Sequence, residues 1–380
     1  MATTAGSPAA ALAAARPPGY YVRQRLWQNR PAVAGLAFIA LCALVALLGY
    51  WVLPDNSPNA NHGFVQLQKE GPGLRVLLLR SPLPDSARPA GNVFTTWLRG
   101  QPPPYAEMPL ASYRPLGADS AEVRLWTPAD AAPAPVQHLA ARSLSNPPTH
   151  PFTYWLGTDK AGRDELSRLL LGTRISLGIG LVAVLISLGL GMAVGAVAGY
   201  FGGWVDSLLL GLMTVVWSIP GIMLVIAISL ALDSKGVWVS FVAVGLTMWV
   251  DVARVVRGQM LSLRSATFVE AGRVLGLPTS RLIAWHLLPN MRGPLIVLAT
   301  SNFASAILLE AGLSFLGLGV QPPAPSWGLM VKEGYDLLGT AAGLWGTLLP
   351  GAAISLLVLS FNLLGNGLRD AYDPKTPVAV

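Results

Sequence analysis

The sequence is poor in charged residues. Of its 380 residues, only 12% are Asp, Glu, Lys or Arg, whereas 53% are hydrophobic. Soluble domains carry about 25% charged residues, so the composition excludes an ordinary soluble globular protein. The mean hydropathy of +0.52 indicates a chain that crosses a membrane several times. In that setting the net charge of +7 predicts basic residues beside apolar segments, which set membrane orientation, and argues against nucleic-acid binding.

Other absences exclude several kinds of site. The single cysteine, Cys42, lies in an apolar run and cannot form an intrachain disulfide. The four histidines have no metal-ligand spacing and no cysteine pair beside them; they are His62, His138, His150 and His286. A phosphate-binding loop of the form Gly-x4-Gly-Lys-Ser/Thr does not occur. We therefore predict no metal site, no cofactor, no ATP site and no catalytic residues in this chain.

Long apolar stretches are what the sequence does contain. A membrane-spanning helix needs about 20 predominantly apolar residues. Six stretches meet this length or come close to it, at residues 31–53, 175–200, 207–232, 237–256, 294–318 and 344–364. Pro220 lies inside the third and predicts a kink there. The sequence thus predicts an all-α polytopic membrane protein with six transmembrane helices.

Basic residues predict the orientation of these helices. The segment before the first helix contains four arginines and no acid, namely Arg16, Arg23, Arg25 and Arg30. Residues 251–293, between the fourth and fifth helices, contain six arginines against two acids. Cytoplasmic loops are rich in Lys and Arg, so both regions are predicted to be cytoplasmic, which fits the four spans between them. Residues 1–30 and the tail 367–380 are then both expected in the cytoplasm.

Residues 54–156 are expected outside the cytoplasm, between the first and second helices. This insertion is rich in proline, and residues 74–79, 92–98 and 122–126 have the composition of strands. We predict a small, partly β extracytoplasmic insertion, with disorder as the alternative.

The following segment, residues 157–172, has the pattern of an amphipathic helix at the outer membrane interface. Leucines recur there at helical spacing, and charged residues occupy the other faces. The leucines are Leu166, Leu169 and Leu170, and the charged residues are Arg163, Asp164, Glu165 and Arg168.

Residues 268–290 predict two short helices joined by a break. Gly276 can take the left-handed position that ends the first helix. Pro278 prevents its continuation, and Thr279 or Ser280 can cap the second helix. The pair would project from the long loop as a compact knob.

The first of these two helices offers groups for a partner protein. Glu270 can pair with a partner arginine, and the small residues Ala271 and Gly272 are expected to be exposed and to permit close approach. An ordinary interfacial helical loop is the alternative interpretation.

The motif that starts at Glu270 resembles a known one. Glu-Ala-Gly-x3-Gly-x9-His-x-Leu-Pro is similar to the coupling-loop motif of binding-protein-dependent ABC importer permeases, with Gly272 where that family has Ala. His286, followed by Leu288 and Pro289, resembles the dipeptide/oligopeptide branch. Further similar motifs after residue 155 include Leu-Gly-Thr-Asp at 156–159 and Leu-Ser-Phe-Leu-Gly at 313–317. The chain is identified as resembling the C-type inner-membrane subunit family.

The resemblance implies an architecture and a set of partners. It implies the type I ABC importer permease fold, with the core at residues 173–366 and the coupling loop at 257–290. The implied partners are a second permease subunit in a heterodimer, two ATP-binding subunits and an extracytoplasmic substrate-binding protein. The cargo would be a peptide or a related small solute, and the location the bacterial cytoplasmic membrane. The implied coupling residues are Glu270, Ala271, Gly272, Gly276, His286, Leu288 and Pro289.

Polar residues within the spans raise further hypotheses. Glu310, late in the fifth span, is a candidate pathway-lining residue, with a solvated or helix-packing role as the alternative. Asn302 could line the path or bridge helices. Arg254 and Arg257 could contact an ATP-binding subunit or simply anchor the cytoplasmic side.

Two other classes of protein fit the sequence less well. A stand-alone secondary transporter usually carries ionisable groups near mid-membrane, and the middles of the second, fourth and sixth spans are expected to carry none. A membrane-anchored extracytoplasmic enzyme would need a catalytic constellation, and residues 54–156 show none.

Overall fold

Helices make up most of the chain, and one sheet lies between α2 and α4. The structure, a computed structural model, describes residues 18–84, 92–117, 120–128, 132–140, 143–233 and 236–373. Its helices are α1 (Pro18–Gln28), α2 (Arg30–Leu48), α3 (Val93–Arg99), α4 (Glu165–Phe201), α5 (Gly203–Trp217), α6 (Gly221–Ala231), α7 (Val237–Thr247), α8 (Trp249–Leu263), α9 (Thr267–Val274), α10 (Thr279–Arg281), α11 (Leu288–Asn290), α12 (Arg292–Phe315), α13 (Trp327–Tyr335) and α14 (Ala341–Tyr372). A π-helix, Leu282–Leu287, joins α10 to α11. The strands are β1 (Leu74–Pro82), β2 (Tyr105–Pro115), β3 (Ser120–Leu125), β4 (Val136–Ala140) and β5 (Thr149–Tyr154).

The predicted ends of the chain are only partly described. Residues 1–17 of the predicted cytoplasmic segment, including Arg16, and residues 374–380 of the predicted tail lie outside the described residues.

Several helices are long and apolar enough to cross a membrane. In the described part of the chain they number five, namely Arg30–Trp51, Glu165–Phe201, Val237–Leu263, Arg292–Phe315 and Ala341–Tyr372. The pair α5 and α6 also qualifies when taken together, but its two helices meet at 92°. The predicted break at Pro220 is present, but it is a sharp bend between two helices and not a kink within one continuous helix. Pro220, which has no N–H to donate, separates the two helices and precedes the first residue of α6.

Small residues let the helices around α4 approach closely. A Cβ placed on Gly191 would lie 2.4 Å from the Cβ of Val252, and one on Gly195 would lie 2.4 Å from the carbonyl oxygen of Ala253. Both neighbours belong to α8, so glycine on α4 brings the two backbones together, as is common between membrane helices.

The two ends of the helix bundle have different neighbours. The guanidinium of Arg25 on α1 donates to the carbonyl oxygens of Ala371, at 3.4 Å, and Asp373, at 2.6 Å. A Cβ on Gly293, at the start of α12, would lie 3.1 Å from the ring of Tyr372. The first described helix, the end of α14 and the loop before α12 thus share one end, called here the knob end. The sheet lies beyond the opposite end, the sheet end.

The sheet is antiparallel throughout, with strand order β4-β3-β2-β1-β5. In strand β1, which lies between β2 and β5, Val76 and Leu78 are buried against Phe64, Leu67 and Tyr154. The predicted strands at 74–79 and 122–126 coincide with β1 and β3 to within a few residues.

The strand predicted at residues 92–98 is wrong, because this segment forms helix α3. Asn92 begins the helix as its N-cap: its side chain accepts from the backbone N–H of Thr95, while the Thr95 hydroxyl accepts from the N–H of Asn92. This reciprocal capping box stabilises the first turn, and it outweighs the β-propensity of the Val-Phe-Thr-Thr stretch.

The interface helix predicted at residues 157–172 is also wrong. The chain forms a turn up to Asp164, which caps α4, and α4 then continues without interruption from Glu165 to Phe201. The charged residues of this segment are buried instead of solvated. Arg163 and Arg168 each have a guanidinium nitrogen 3.3 Å from a carboxylate oxygen of Glu333 on α13, and Arg163 also pairs with Asp159. Mutual neutralisation by these partners allows the charges to be buried.

Candidate functional site

The knob, defined as residues 267–290, is a bent pair of helical arms. The first arm, α9, ends at Gly276, whose φ of +73° is the left-handed conformation. The N–H of Gly276 donates to the carbonyl of Arg273, and that of Leu277 to the carbonyl of Gly272. These two bonds form a Schellman motif, which terminates a helix and reverses the chain. The sequence expectation for the conformation of Gly276 is correct.

The second arm starts differently from the expectation. Pro278 takes the N-cap position, and Thr279 is already the first helical residue, so in the described structure neither Thr279 nor Ser280 caps the arm. The arm ends at Asn290, directly after Pro289, and α12 then begins at Arg292.

Gly272 faces the inside of the knob, not its outer surface. The residue is buried, and a Cβ placed on it would lie 2.7 Å from a terminal methyl of Leu282. The expectation that Gly272 is exposed is therefore wrong. This glycine allows the second arm to pack against the first.

The outer surface of the knob combines one carboxylate with apolar side chains. Glu270 and Ala271 are exposed, as predicted. At the end of the first arm, Val274 is 88% exposed and Leu275 79%. On the second arm, Trp285 is 77% exposed. Large apolar side chains with this degree of exposure are typical of a surface that contacts another protein.

The base of the knob is fixed to the helix bundle. Val269 from the first arm and Leu287 from the second are buried in one cluster with Val256 and Met260 of α8. Leu288 packs at the edge of the same cluster. A displacement of the knob must therefore displace α8.

His286 makes local contacts within the second arm. Its ring Nδ1 lies 3.3 Å from the carbonyl oxygen of Arg281, and its own carbonyl accepts from the side chain of Asn290. The structure thus brings the predicted coupling residues into one knob, in different places. Glu270 and Ala271 lie outside, Gly272 lies inside, Gly276 forms the corner, and His286 and Leu288, with Pro289, lie along the second arm and its base.

Glu310 has partners within the chain. It is 1% exposed and accepts from the hydroxyl of Ser314 at 2.7 Å, while the Ser314 oxygen accepts from the backbone N–H of Val320. These bonds tie α12 to the loop that follows it. The geometry corresponds to the helix-packing alternative.

Asn302 lines a cavity of about 280 Å³ at the bend between α5 and α6. Its side chain is buried, and its Nδ2 has no hydrogen-bond partner among the described residues. Pro220 and Trp217 from the bend and Asp251 from α8 line the same cavity. A buried amide donor without a partner is costly.

Asp251 is a site residue that the sequence analysis missed. The fourth span was predicted to end at residue 256, which placed Asp251 near a loop, whereas the helix continues to Leu263. Asp251 lies about twelve residues, or about 18 Å at 1.5 Å per residue, before that end. Asp251 therefore lies within a continuous helix, and not at the start of a loop as predicted. The sequence contains a signal for this charged helix face. Charged residues recur every three positions, at Asp251, Arg254 and Arg257, which places them on one side of a helix.

The two arginines on this face contact helix α5. Arg257 forms a bidentate pair with Asp206. The guanidinium carbon of Arg254 lies 4.5 Å from the centre of the Trp217 ring, whose Nε1 donates to Asp251 at 3.2 Å. Both arginines thus stabilise the α5–α8 contact within the chain.

Comparison with known proteins identifies the family. Residues 191–377 match the sequence profile of the family described as binding-protein-dependent transport system inner membrane component. Residues 18–68 match the N-terminal TM domain of oligopeptide transport permease C. The chain belongs to this family of inner-membrane permeases. The predicted resemblance to the dipeptide/oligopeptide branch is confirmed.

Curated relatives of this permease match over more than half of its length. The dipeptide transport system permease protein DppC of Alkalihalophilus pseudofirmus is 40% identical over 222 residues, which cover 58% of this chain and 72% of that protein. The oligopeptide transport system permease protein OppC of Haemophilus influenzae is 39% identical over 232 residues, covering 61% and 74%. The glutathione transport system permease protein GsiD of Pectobacterium atrosepticum is 41% identical, covering 58% and 73%.

A solved structure is also similar to this permease. The MetNI methionine ABC transporter, in an inward-facing conformation, aligns with a TM-score of 0.43 and 18% sequence identity, and the alignment covers 53% of this chain and 96% of that chain.

Proposed function

We propose that this permease is one of two membrane subunits of an ATP-driven importer in the bacterial cytoplasmic membrane, and that it moves peptides or related small solutes. Its relatives carry the names of dipeptide, oligopeptide and glutathione permeases. ATP is hydrolysed by two separate subunits that bind at the knob end. A second permease subunit, of a different sequence, completes the translocation path, and a substrate-binding protein delivers the cargo from outside.

The observation that carries the proposal is the geometry of the knob. The knob exposes one carboxylate, Glu270, and the apolar side chains of Val274, Leu275 and Trp285. The base of the knob is buried against α8. A partner that binds the outer surface of the knob and changes conformation on ATP binding would tilt α8, and the rest of the helix bundle would move with it.

The proposed orientation places the knob end in the cytoplasm. Arginine-rich segments lie at this end, both in α1 and in residues 251–293. The contacts of Arg25 with the end of α14 put both described ends of the chain on the same side. An even number of crossings follows if the bent pair α5–α6 traverses the membrane as the sixth span.

The substitution Glu270→Lys tests the coupling role. We expect it to abolish transport in proteoliposomes that contain the full importer, because a cation replaces the carboxylate at the contact, while membrane insertion is retained. Asp370→Lys is the matched control, since it makes the same charge change at an exposed position of the knob end outside the knob.

Co-purification completes the test. A tagged wild-type chain should bring down a partner permease and ATP-binding subunits, and the Glu270→Lys chain should lose only the latter. Solute accumulation by the lone chain without any ATPase partner would refute the proposal in favour of a secondary transporter.

We also assign the cavity at the α5–α6 bend to the translocation path. Asn302 and Asp251 offer a donor and a carboxylate there, which match the carbonyl and ammonium groups of a peptide. We expect Asn302→Leu to reduce peptide transport by about 5- to 150-fold, because a missing partner for a polar substrate group costs roughly 1–3 kcal/mol. Assembly with the ATP-binding subunits should be unchanged.

Ser301→Ala provides the control for the cavity, because Ser301 is exposed on α12 and bonds only to its own helix at Val297. Equal transport by the Asn302→Leu and Ser301→Ala importers would exclude Asn302 from the path.

A further inference from the structure

Helix α3 in the insertion exposes an apolar face. Val93 is 73% exposed, Phe94 65% and Leu98 43%. At 100° per residue these three side chains and Trp97 fall within one arc of the helix, whereas Thr95, Thr96 and Arg99 fall on the other side. The helix is therefore amphipathic, and its apolar side is not covered by the described remainder of the chain.

Trp97 holds α3 at the level where two spans leave the membrane. Its indole Nε1 donates to the carbonyl oxygen of Leu47, in the last turn of α2. The guanidinium of Arg174 lies 4.8 Å from the centre of the Trp97 ring and donates to the Trp97 carbonyl at 3.2 Å. Because Leu47 and Arg174 both lie at the sheet end of apolar spans, α3 is fixed at the sheet-side boundary of the bilayer.

The apolar face of α3 continues the lipid-facing surface of the first span. Leu44 and Leu47 on α2 are more than half exposed, and so is Trp51 just beyond it. The Trp97–Leu47 hydrogen bond joins α3 directly to this surface. Tryptophan is enriched at membrane–water interfaces, where its ring lies among headgroups and its N–H bonds a polar group.

We propose that α3 is a membrane-surface anchor of the insertion. Val93, Phe94 and Leu98 enter the boundary between headgroups and acyl chains of the outer leaflet, and Thr95, Thr96 and Arg99 face the headgroups and water. The occupant of this face is lipid, because the face is continuous with the apolar surface of a membrane span. The insertion thereby rests on the bilayer beside α2, which fixes the sheet relative to the membrane. This proposal requires only that the spans are in a membrane and does not depend on the cargo.

Site-directed spin labelling in lipid nanodiscs tests this anchor. The chain has one cysteine, Cys42, so a Cys42→Ala background allows single labels at Phe94→Cys and, on the opposite face, at Arg99→Cys. Leu116→Cys, at an exposed apolar position beyond the end of β2, controls for hydrophobicity alone. The nanodiscs contain phosphatidylcholine and phosphatidylglycerol, and collision rates are measured with oxygen and with a water-soluble nickel chelate.

We expect the label at position 94 to collide more with oxygen than with the nickel chelate, by a factor of several. The order should reverse at positions 99 and 116. Equal access of the nickel chelate to positions 94 and 116 would overturn the proposal, because the face would then be in water. Protection of position 94 from both reagents would also overturn it and would indicate a protein partner. Phe94 is largely exposed, so the label removes little packing, and unchanged thermal unfolding of each labelled chain verifies the fold.

Discussion

The two ends of the helix bundle place their charged groups in opposite ways. At the sheet end, Glu333 is 4% exposed and faces Lys160, Arg163 and Arg168 within 3.4 Å. At the knob end, Glu270 is exposed. From the sequence, both residues 157–172 at the sheet end and residues 268–290 at the knob end are predicted to be helical and to carry charged residues. The difference shows that one set of charges holds the chain together, whereas the other is available to a partner.

This contrast separates stability from function. Charges that are buried and mutually paired contribute to folding only as a set, because removing one member leaves the others desolvated without compensation. Exposed charges contribute little to folding. Substitutions at the two ends should therefore have effects on different measurements, and three predictions test this.

The largest expected effect on stability comes from Glu333→Ala. It leaves Arg163 and Arg168 buried with less negative charge around them, which should lower the free energy of unfolding by about 3–5 kcal/mol. Thermal unfolding of the purified chain in detergent measures it. Glu270→Ala is the matched variant and should change the free energy of unfolding by less than about 0.5 kcal/mol. Similar losses in the two variants would remove the distinction between the ends.

Asp164 should show a smaller effect that depends on pH. Burial raises the pKa of its carboxyl to about 6. A raised pKa in the folded state means that the ionised form is disfavoured by folding, so this residue lowers stability as pH rises from about 4 to 6. The loss amounts to as much as about 3 kcal/mol, because each tenfold change in an acid dissociation constant corresponds to about 1.4 kcal/mol.

Asp164→Asn isolates this contribution. Asparagine retains an oxygen that can accept from the N–H of Ser167, as Asp164 does at the start of α4. The variant should therefore have a higher free energy of unfolding than the wild type at pH 7. This difference should become smaller as the pH falls toward 4. A difference that is constant between pH 4 and 7 would contradict the burial argument.

The smallest expected effect concerns two glycines near the knob end. In the described structure a Cβ on Gly276 or on Gly258 would meet nothing within 4 Å, but Gly276 has a φ of +73° and Gly258 is helical. Gly276→Ala should cost about 1 kcal/mol from backbone strain. Gly258→Ala should gain up to about 1 kcal/mol from helix propensity. Hydrogen exchange of the α9 amides would detect the first change, and equal signs for the two variants would argue against a strained corner.

Local sequence rules located some of these features and missed others. The glycine corner at Gly276 was predictable because a left-handed residue at a helix end depends on its own conformation. The helix at Val93–Arg99 was missed, although the Asn92–Thr95 capping box is a local signal that a search for caps would have found. The depth of Asp251 was missed because the helix boundary at Leu263 depends on packing of α8 against α4, which stabilises helix beyond the apolar stretch.

Composition and motifs were enough to show that this chain is a polytopic membrane protein that resembles the binding-protein-dependent permeases, with breaks at Pro220 and Gly276. Hydropathy, proline and glycine act over a few residues, so these features can be seen without a fold. Which charges are buried became visible only in the folded chain, because Arg163 meets Glu333 across 170 positions of the sequence. The same holds for the 92° bend and the cavity beside it, since both depend on helices that meet only after the bundle has packed.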